Sequence, residues 1–319
     1  MKTGEEYIWA QKYRPKTIDE CIIIDELKDR FQNFVEKGDL PNLLLHGTAG
    51  TGKTTVAKAV LETLGCDYIE INGSLEGRNI DTLRNTIKSF ASSVSFTGGR
   101  KFVLLDEADG LNPTSLQPAL RGFMEEFSAN CGFILTCNFK DKIIKPLHSR
   151  CSVINFVIPK DKKPVIGAAF YKRVCEILTK EGVEYDKGVV VKLIQKHFPD
   201  FRRVLNELQQ CASASGGITG EVLVSNDAVM DELIVYLKEK NFSKMREWVS
   251  NHGDTDPERF FRKLYDGMYE WMKPETIPTV VVTLAEYQYK ACFVADKRSI
   301  LLLVSLNLWL MRFVDNEIV

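Results

Sequence analysis

No surplus of charge of either sign exists along the 319 residues: Lys+Arg 42 stand against Asp+Glu 43, a formal net charge of -1. A global basic field that would draw the chain onto nucleic acid is excluded, so any contact with a polyanion has to be local. Eight cysteines are present (Cys21, Cys66, Cys131, Cys137, Cys151, Cys175, Cys211, Cys292), but they are scattered and no two form a CxxC pair. Neither a thiolate zinc site nor a dithiol redox motif has its usual spacing, and the thiols read as buried and free. The N-terminal MKTGEEYIWAQKYRPKT lacks the apolar core of a signal peptide, which predicts a cytoplasmic location, in the host cell if the source is viral. The longest apolar stretch, Ile300 to Met311, is interrupted by Ser305 and Asn307. It falls short of the ~18 residues of a membrane span, which predicts a buried or interface helix and no membrane partner. Repeats and low-complexity tracts are also missing, so a solenoid or a long disordered tail is not expected.

What is present is enough chain, at 45% hydrophobic content, for two or three packed units. Up to about residue 158 short apolar runs alternate with helical segments, the pattern of βα units and a parallel sheet. Five runs read as strands: Asn42 to His46, Asp67 to Ile71, Phe102 to Asp106, Phe133 to Thr136 and Val153 to Ile158. Beyond Pro159 the β-like runs stop. Residues 161–215 read as helices with turns at Gly182 and Pro199-Asp200, and Ser213 to Gly217 reads as a linker. From about Asn226 to Val319 the pattern is helical again, with breaks at Gly253-Asp254, Pro274 and Pro278. The expected organisation is an α/β P-loop domain with a five-stranded parallel sheet over 1–158, an all-α lid over 159–225 and an all-α collar over 226–319.

Gly47-Thr48-Ala49-Gly50-Thr51-Gly52-Lys53-Thr54 fits GxxxxGKT and lies between the apolar Leu43-Leu44-Leu45 and a helical segment beginning near Thr54. Glycines let such a loop curl so that backbone N–H groups and the helix N-terminus face phosphates. Lys53 then offers charge to the β- and γ-phosphates and Thr54 a hydroxyl to magnesium. Phe102-Val103-Leu104-Leu105 ends in Asp106-Glu107, a buried strand delivering two carboxylates at the edge where α/β sheets bind ligands. Asp106 is the candidate magnesium ligand, and Glu107 the candidate base for the attacking water. The guanine-specifying NKxD pattern is absent and Asn138-Phe139-Lys140-Asp141 matches it only superficially, so ATP is the expected nucleotide.

Four further segments, in order over residues 7 to 210, resemble the AAA+ clamp-loader family, the replication factor C small subunits in particular. Trp9 to Lys16 resembles the family's N-terminal box, which implies that Tyr13 and Arg14 pack beside the adenine. Ile134-Leu135-Thr136-Cys137-Asn138 resembles the sensor 1 strand, implying that Asn138 orients water near the γ-phosphate. Ser149-Arg150-Cys151 resembles the SRC motif, whose arginine reaches a neighbouring subunit's ATP. Pro199 to Asn206 resembles the sensor 2 helix, which would set Arg202 on the chain's own γ-phosphate. Supplied from a neighbour, Arg150 would stabilise charge on the transferring phosphoryl group and couple hydrolysis to assembly. The compact length and the lack of a zinc-binding insertion are similar to the T-even bacteriophage branch of the family.

DNA contact is expected at two helix openings, residues 76–84 and 112–121, where the resemblance implies that Arg78, Asn112 and Arg121 follow duplex phosphates. Gly122 departs from the family, which commonly has a second arginine there, and Pro118 is expected to disturb the hydrogen bonding of its helix. The implied function is that of a DNA-stimulated ATPase motor in a homo- and hetero-oligomer, a pentamer, that uses ATP and Mg2+ to open a sliding clamp. It would place that clamp on primer-template DNA. Alternatives are another AAA+ DNA motor of helicase or branch-migration type, and a subunit that binds nucleotide without hydrolysing it.

Overall fold

A computed structural model describes residues 7–76, 80–95, 99–219, 231–252, 257–291, 293–294 and 297–311. Two compact units divide the chain, Met1–Val222 and Leu223–Val319. In the first, α1 (Trp9–Lys12) and α2 (Asp25–Lys37) precede β1 (Leu43–His46), α3 (Lys53–Thr63), β2 (Tyr68–Asn72), α4 (Gly73–Glu76) and α5 (Ile80–Ser92). Then follow β3 (Lys101–Asp106), α6 (Leu116–Glu126), β4 (Cys131–Cys137), α7 (Lys145–His148) and β5 (Ser152–Asn155). The five strands pair parallel in the order β2-β3-β4-β1-β5.

Alternation of side chains along these strands supplies both faces of the sheet with core. Leu44, Val103, Leu105, Phe133 and Leu135 pack with Ile87 of α5, Leu116 and Leu120 of α6 and Leu147 of α7. Leu43, Leu45, Phe102, Leu104 and Ile134 pack on the other face with Phe31 of α2 and Val56, Val60 and Leu61 of α3. All five expected strands are present, and the last is shorter than expected, stopping at Asn155 rather than Ile158. Phe156 N still donates to His46 O, but beyond that point β1 has turned into the glycine loop and offers no further ladder. Lys101, at the start of β3 and 1% exposed, donates its ammonium to Phe90 O, Ser93 O and Ser93 Oγ, capping carbonyls at the end of α5.

Past Pro159 come α8 (Lys163–Lys180), β6 (Glu184–Tyr185), α9 (Lys187–His197), α10 (Phe201–Ser215) and β7 (Gly217–Ile218). This region is helical as expected except that β6 and β7 form a short parallel pair. The expected linker over Ser213 to Gly217 is a correction: α10 runs to Ser215, Gly216 caps it at φ 72°, and Gly217 enters β7.

The second unit contains α11 (residues 231–238), α12 (Phe242–Asn251), α13 (Pro257–Trp271), α14 (Ile277–Ala291) and α15 (Lys297–Trp309). Its core is built by Leu233, Leu237, Trp248, Phe260, Leu264, Met268 and Trp271 with Val280, Leu284, Leu301, Val304 and Leu308. The apolar run at Ile300 is α15, burying Ile300, Leu301, Val304 and Leu308, while Asn307 Nδ2 donates to Tyr287 Oη at 2.8 Å. Pro278 does not break a helix: it occupies the first turn of α14, where a missing N–H costs nothing. The expected break at Gly253-Asp254 lies outside the described residues. Among the described residues no helix is long and apolar enough to cross a membrane, and no disulfide joins Cys21, Cys131 and Cys137, which are buried, or Cys66, Cys151, Cys175 and Cys211, which are half-buried.

Candidate nucleotide site

The loop leaving β1 turns through left-handed backbone at Gly50 (φ 74°) and Gly52 (φ 91°), conformations that disfavour any residue with a Cβ. At Gly50 a Cβ would also stand 1.9 Å from Asp200 Oδ1. Asp200 is fixed in turn as the N-cap of α10, accepting from Arg203 N at 3.0 Å, and Phe201 N donates to Gly50 O at 3.3 Å. Immediately after Gly52, α3 begins at Lys53, so its unpaired first-turn N–H groups and the positive end of its dipole lie at the loop.

Lys53 is 7% exposed, and its Nζ donates to Gly47 O (2.8 Å), Thr48 O (2.8 Å) and Asn138 Oδ1 (2.9 Å). Burial is the main cause that pushes its pKa down, and the charge of Arg202 acts in the same direction; Cys137, Asp106 and Asp109 oppose them. A cation held with this shortage of countercharge gains from an anion delivered to it, and a polyphosphate is such an anion. Thr51 Oγ1 closes the loop on Thr48 O at 2.9 Å.

At the end of β3, Asp106 Oδ1 accepts from the hydroxyls of Thr54 (2.6 Å) and Thr136 (2.5 Å). Glu107 follows in left-handed backbone, φ 53° and ψ 46°, with its N–H donating to Thr136 Oγ1 at 3.2 Å. That conformation costs a non-glycine residue about 1 kcal/mol and ends the strand at a fixed point. Asp109 Oδ2 then accepts from Asn138 N and Phe139 N, both at 3.1 Å, tying the end of β4 to the turn after β3. Among the described residues no cluster of three or more His, Cys, Asp or Glu forms a protein-only metal cage. A carboxylate with a threonine hydroxyl fits the hard-oxygen, few-ligand coordination of Mg2+, whose remaining positions go to water and phosphate oxygens.

A cleft of about 1160 Å³, its solvent-open mouth included, joins these groups. It is lined by Tyr13, Arg14, Ala49, Gly50, Gly52, Lys53, Thr54, Asp106, Glu107, Asn138 and Arg202, so eleven of the sequence-predicted residues meet in one place. Its far end is made by the N-terminal segment and the helices after the sheet. The rings of Phe170 of α8 and Phe201 of α10 meet with centroids 4.3 Å apart, tilted by 32°, and Trp9 N donates to Gln209 Oε1 at 2.9 Å while Gln209 Nε2 donates to Tyr7 O at 2.6 Å. Glu181, just past α8, accepts from Tyr13 Oη and from Lys12 Nζ (2.6 Å). The Lys12 bond, followed by that of Tyr13, holds the Glu181 carboxyl below its usual range, and burial raises the Tyr13 hydroxyl.

Several members of this constellation escaped the sequence reading: Thr136, Asp109, Asp200, Glu181, Gln209 and the cleft-lining Arg173, whose Nε is buried without a partner. Thr136 and Asp200 lay inside segments already singled out, without a role at the site. The others are single polar residues whose role depends on contacts made by folding.

Gly47, Thr48 and Thr51 complete the loop around Lys53 without lining the cleft, whereas Arg150, Asn112 and Arg121 lie away from its wall. Arg150 binds Glu125 of α6 through Nε (2.8 Å) and through its second terminal nitrogen, with Nη1 donating to Pro146 O at 2.9 Å. Asn112 is exposed and its Oδ1 accepts from Thr114 N (2.9 Å) and Thr114 Oγ1 (2.8 Å), an Asx turn ahead of α6. Arg121 is exposed with its Nε 3.9 Å from Glu125 Oε1. Arg78 lies outside the described residues. Pro118 is a correction: it stands in the first turn of α6, where no i−4 carbonyl needs its N–H, and leaves the helix undisturbed.

Residues 43–158 match the family described as "ATPase family associated with various cellular activities (AAA)". Over 280 residues the chain is 39% identical to the sliding-clamp-loader large subunit of Enterobacteria phage T4, covering 86% of each. It is 38% identical to the same-named subunit of Escherichia phage RB69 over 85% of each, and 39% identical to the replication factor C small subunit of Archaeoglobus fulgidus over 75% of this chain and 76% of that one. A solved structure of the Thermotoga maritima RuvB Holliday junction branch migration motor superposes with a TM-score of 0.53 over 71% of this chain and 79% of that one. At 17% identity that likeness concerns the fold alone. With the glycine loop, the paired carboxylates and the flanking helices on one cleft, and with relatives of this identity spanning most of its length, the chain belongs to the sliding-clamp-loader family of AAA ATPases and is an ATPase motor subunit of that type.

Proposed function

We propose that the cleft binds ATP with Mg2+ and that the chain works in the cytoplasm within a hetero-oligomeric ring, a pentamer, that engages a sliding clamp on ATP binding and releases it on primer-template DNA. The residues 1–158, 159–225 and 226–319 act in this reading as motor, lid and collar. Lys53 and the first turn of α3 bind the β- and γ-phosphates. Thr54 and Asp106 hold the metal, which supplies charge neutralisation at the phosphate oxygens when bound. Glu107 takes the proton of the attacking water, Asn138 orients that water, and Arg202 contacts the γ-phosphate. Tyr13 and Arg14 flank the base.

Arg150 is assigned to a neighbour's ATP, and one observation supports this most: it sits outside the cleft that gathers the other catalytic candidates. Arg121, Asn112 and Arg78 are assigned to duplex phosphates. The branch-migration reading has only the fold likeness behind it. Retention of Lys53, Asp106 and Glu107 speaks against a nucleotide-binding subunit that does not hydrolyse.

The test is steady-state ATP turnover by the chain co-purified with its companion subunits, measured with and without clamp and primed DNA. Turnover is expected to rise by a factor of ten or more with both present, on the order of a single added transition-state contact. Turnover indifferent to clamp and DNA would overturn the loader reading while leaving the ATPase in place.

A further inference from the structure

We propose that Glu125 is a positioning residue that parks the Arg150 guanidinium on its own chain until a neighbour's γ-phosphate takes it, and so keeps turnover low before DNA arrives. This rests on the trans role of Arg150 proposed above. The backbone at Arg150 is not free to swing. Its N–H donates to Leu147 O at 3.1 Å, its carbonyl accepts from Asn42 Nδ2 at 3.5 Å, and Ser152 N two residues on donates to Asn42 O at 2.7 Å at the start of β1. Whichever anion Arg150 serves is therefore chosen by side-chain torsions alone.

Glu125 offers what a phosphate would offer. Its Oε1 receives two guanidinium nitrogens, and Nη1 is turned onto Pro146 O, so the planar fork is already committed. Carboxylate and phosphate oxygens present the same acceptor geometry to arginine, which makes the two ligands competitors for one fork. The second cation near Glu125, Arg121, stands at 3.9 Å and makes no hydrogen bond to it. Arg150 is the cation that holds the Glu125 carboxyl below its usual range most strongly.

The bond is also placed to be exchangeable. The Arg150 side chain is 26% exposed and that of Glu125 is 55% exposed; ion pairs in such settings are weak because water competes for both partners. A neighbour's triphosphate, carrying more charge and a metal, would win the fork without any refolding. Because α6 follows the Asn112 turn and carries Glu125 in its last turn, a shift of this helix would move the carboxylate while Arg150 stays anchored beside β1.

The experiment measures turnover of the assembled complex with and without primed DNA and clamp, for Glu125→Gln and Glu125→Ala. Glu125→Ala is expected to raise DNA-free turnover about two- to five-fold, the scale of an exposed ion pair, with Glu125→Gln between it and the parent and the DNA-stimulated plateau unchanged. In an Arg150→Ala background the Glu125→Ala gain should vanish. A fall or no change in DNA-free turnover, or a gain that persists without Arg150, overturns the parking role. The trans assignment is checked separately by mixing Arg150→Ala chains with Glu107→Gln chains. Partial recovery of turnover supports it, and absence of recovery removes it whatever Glu125 does.

Discussion

The two ends of the cleft are assembled from different kinds of contact. At the phosphate end, Lys53 bonds Asn138, and Thr54 and Thr136 bond Asp106, at 2.5 to 2.9 Å, from the first turn of α3 and the C-terminal edges of the adjacent parallel strands β3 and β4. Groups so fixed are oriented before any ligand binds, which is the condition for electrostatic stabilisation without reorganisation. At the other end the N-terminal segment that carries Tyr13 is tied down by bonds between residues 168 to 202 positions apart: Tyr13 with Glu181, Trp9 and Tyr7 with Gln209. These contacts join the N-terminal segment to helices beyond the sheet and are part-buried or exposed, so water competes for them more than at the phosphate end. In the proposed function the first end is a template for the phosphates and the second a clasp for the base, so changes at the first should remove chemistry and changes at the second should alter retention.

The largest effect is expected from Lys53→Ala. A buried ammonium facing a triphosphate contributes on the order of 3 kcal/mol, about 10²-fold in ATP affinity, and titration with a fluorescent ATP analogue measures it. The same change should leave the melting temperature of the nucleotide-free protein within about 2 °C, because burial already disfavours this charge. A large fall in stability with ATP affinity retained would show Lys53 to be structural and would dissolve the contrast between template and clasp.

How much of this was legible follows the same division. Each phosphate-end motif is contiguous and is preceded by the apolar run of its strand, so local pattern and final position coincide: β1 leads into Gly47 to Thr54, β3 ends at Asp106 with Glu107 next, and β4 leads into Asn138. Glu181 and Gln209 carry no comparable signal, since a lone glutamate after a helix and a glutamine on one are ordinary solvated residues until the chain folds. Arg150 shows the limit from another side. Its motif was visible, whereas its resting partner Glu125 lies 25 positions away on another element and belongs to no motif. The two prolines were misjudged because their effect depends on helix phase: Pro118 and Pro278 fall in first turns, two positions and one position after the helix starts.

A middle-sized effect should come from Thr136→Val, which keeps shape and removes the hydroxyl shared by Asp106 Oδ1 and Glu107 N–H. Thr136 is 2% exposed, so water does not readily replace the lost group, and an unsatisfied N–H at this point costs roughly 1–3 kcal/mol. Turnover is expected to fall about tenfold with the KM for ATP changed less than threefold, a split that marks loss of carboxylate placement rather than of binding. Loss confined to KM would move Thr136 out of the template.

The smallest effect is expected from Glu181→Gln, at the clasp. The folded-state pKa of Glu181 lies below its ordinary 4.5, first through Lys12 and then through Tyr13. For a carboxyl lowered on folding, the stabilisation is fully present above the unfolded pKa and is lost as pH falls through the folded value. The parent should therefore melt above Glu181→Gln by roughly 2 °C or less at pH 7, the scale of an exposed pair, and the two curves should converge as pH falls from the ordinary 4.5 through the lowered folded value. With the clasp loosened, nucleotide should leave faster while single-turnover hydrolysis stays within about twofold of the parent, because no phosphate-end contact involves Glu181. Stopped-flow release of a fluorescent ATP analogue from Glu181→Gln and from Tyr13→Phe separates the two outcomes. Faster release with unchanged hydrolysis assigns retention to this end, and slowed hydrolysis in both variants would mean that the N-terminal segment also positions the triphosphate.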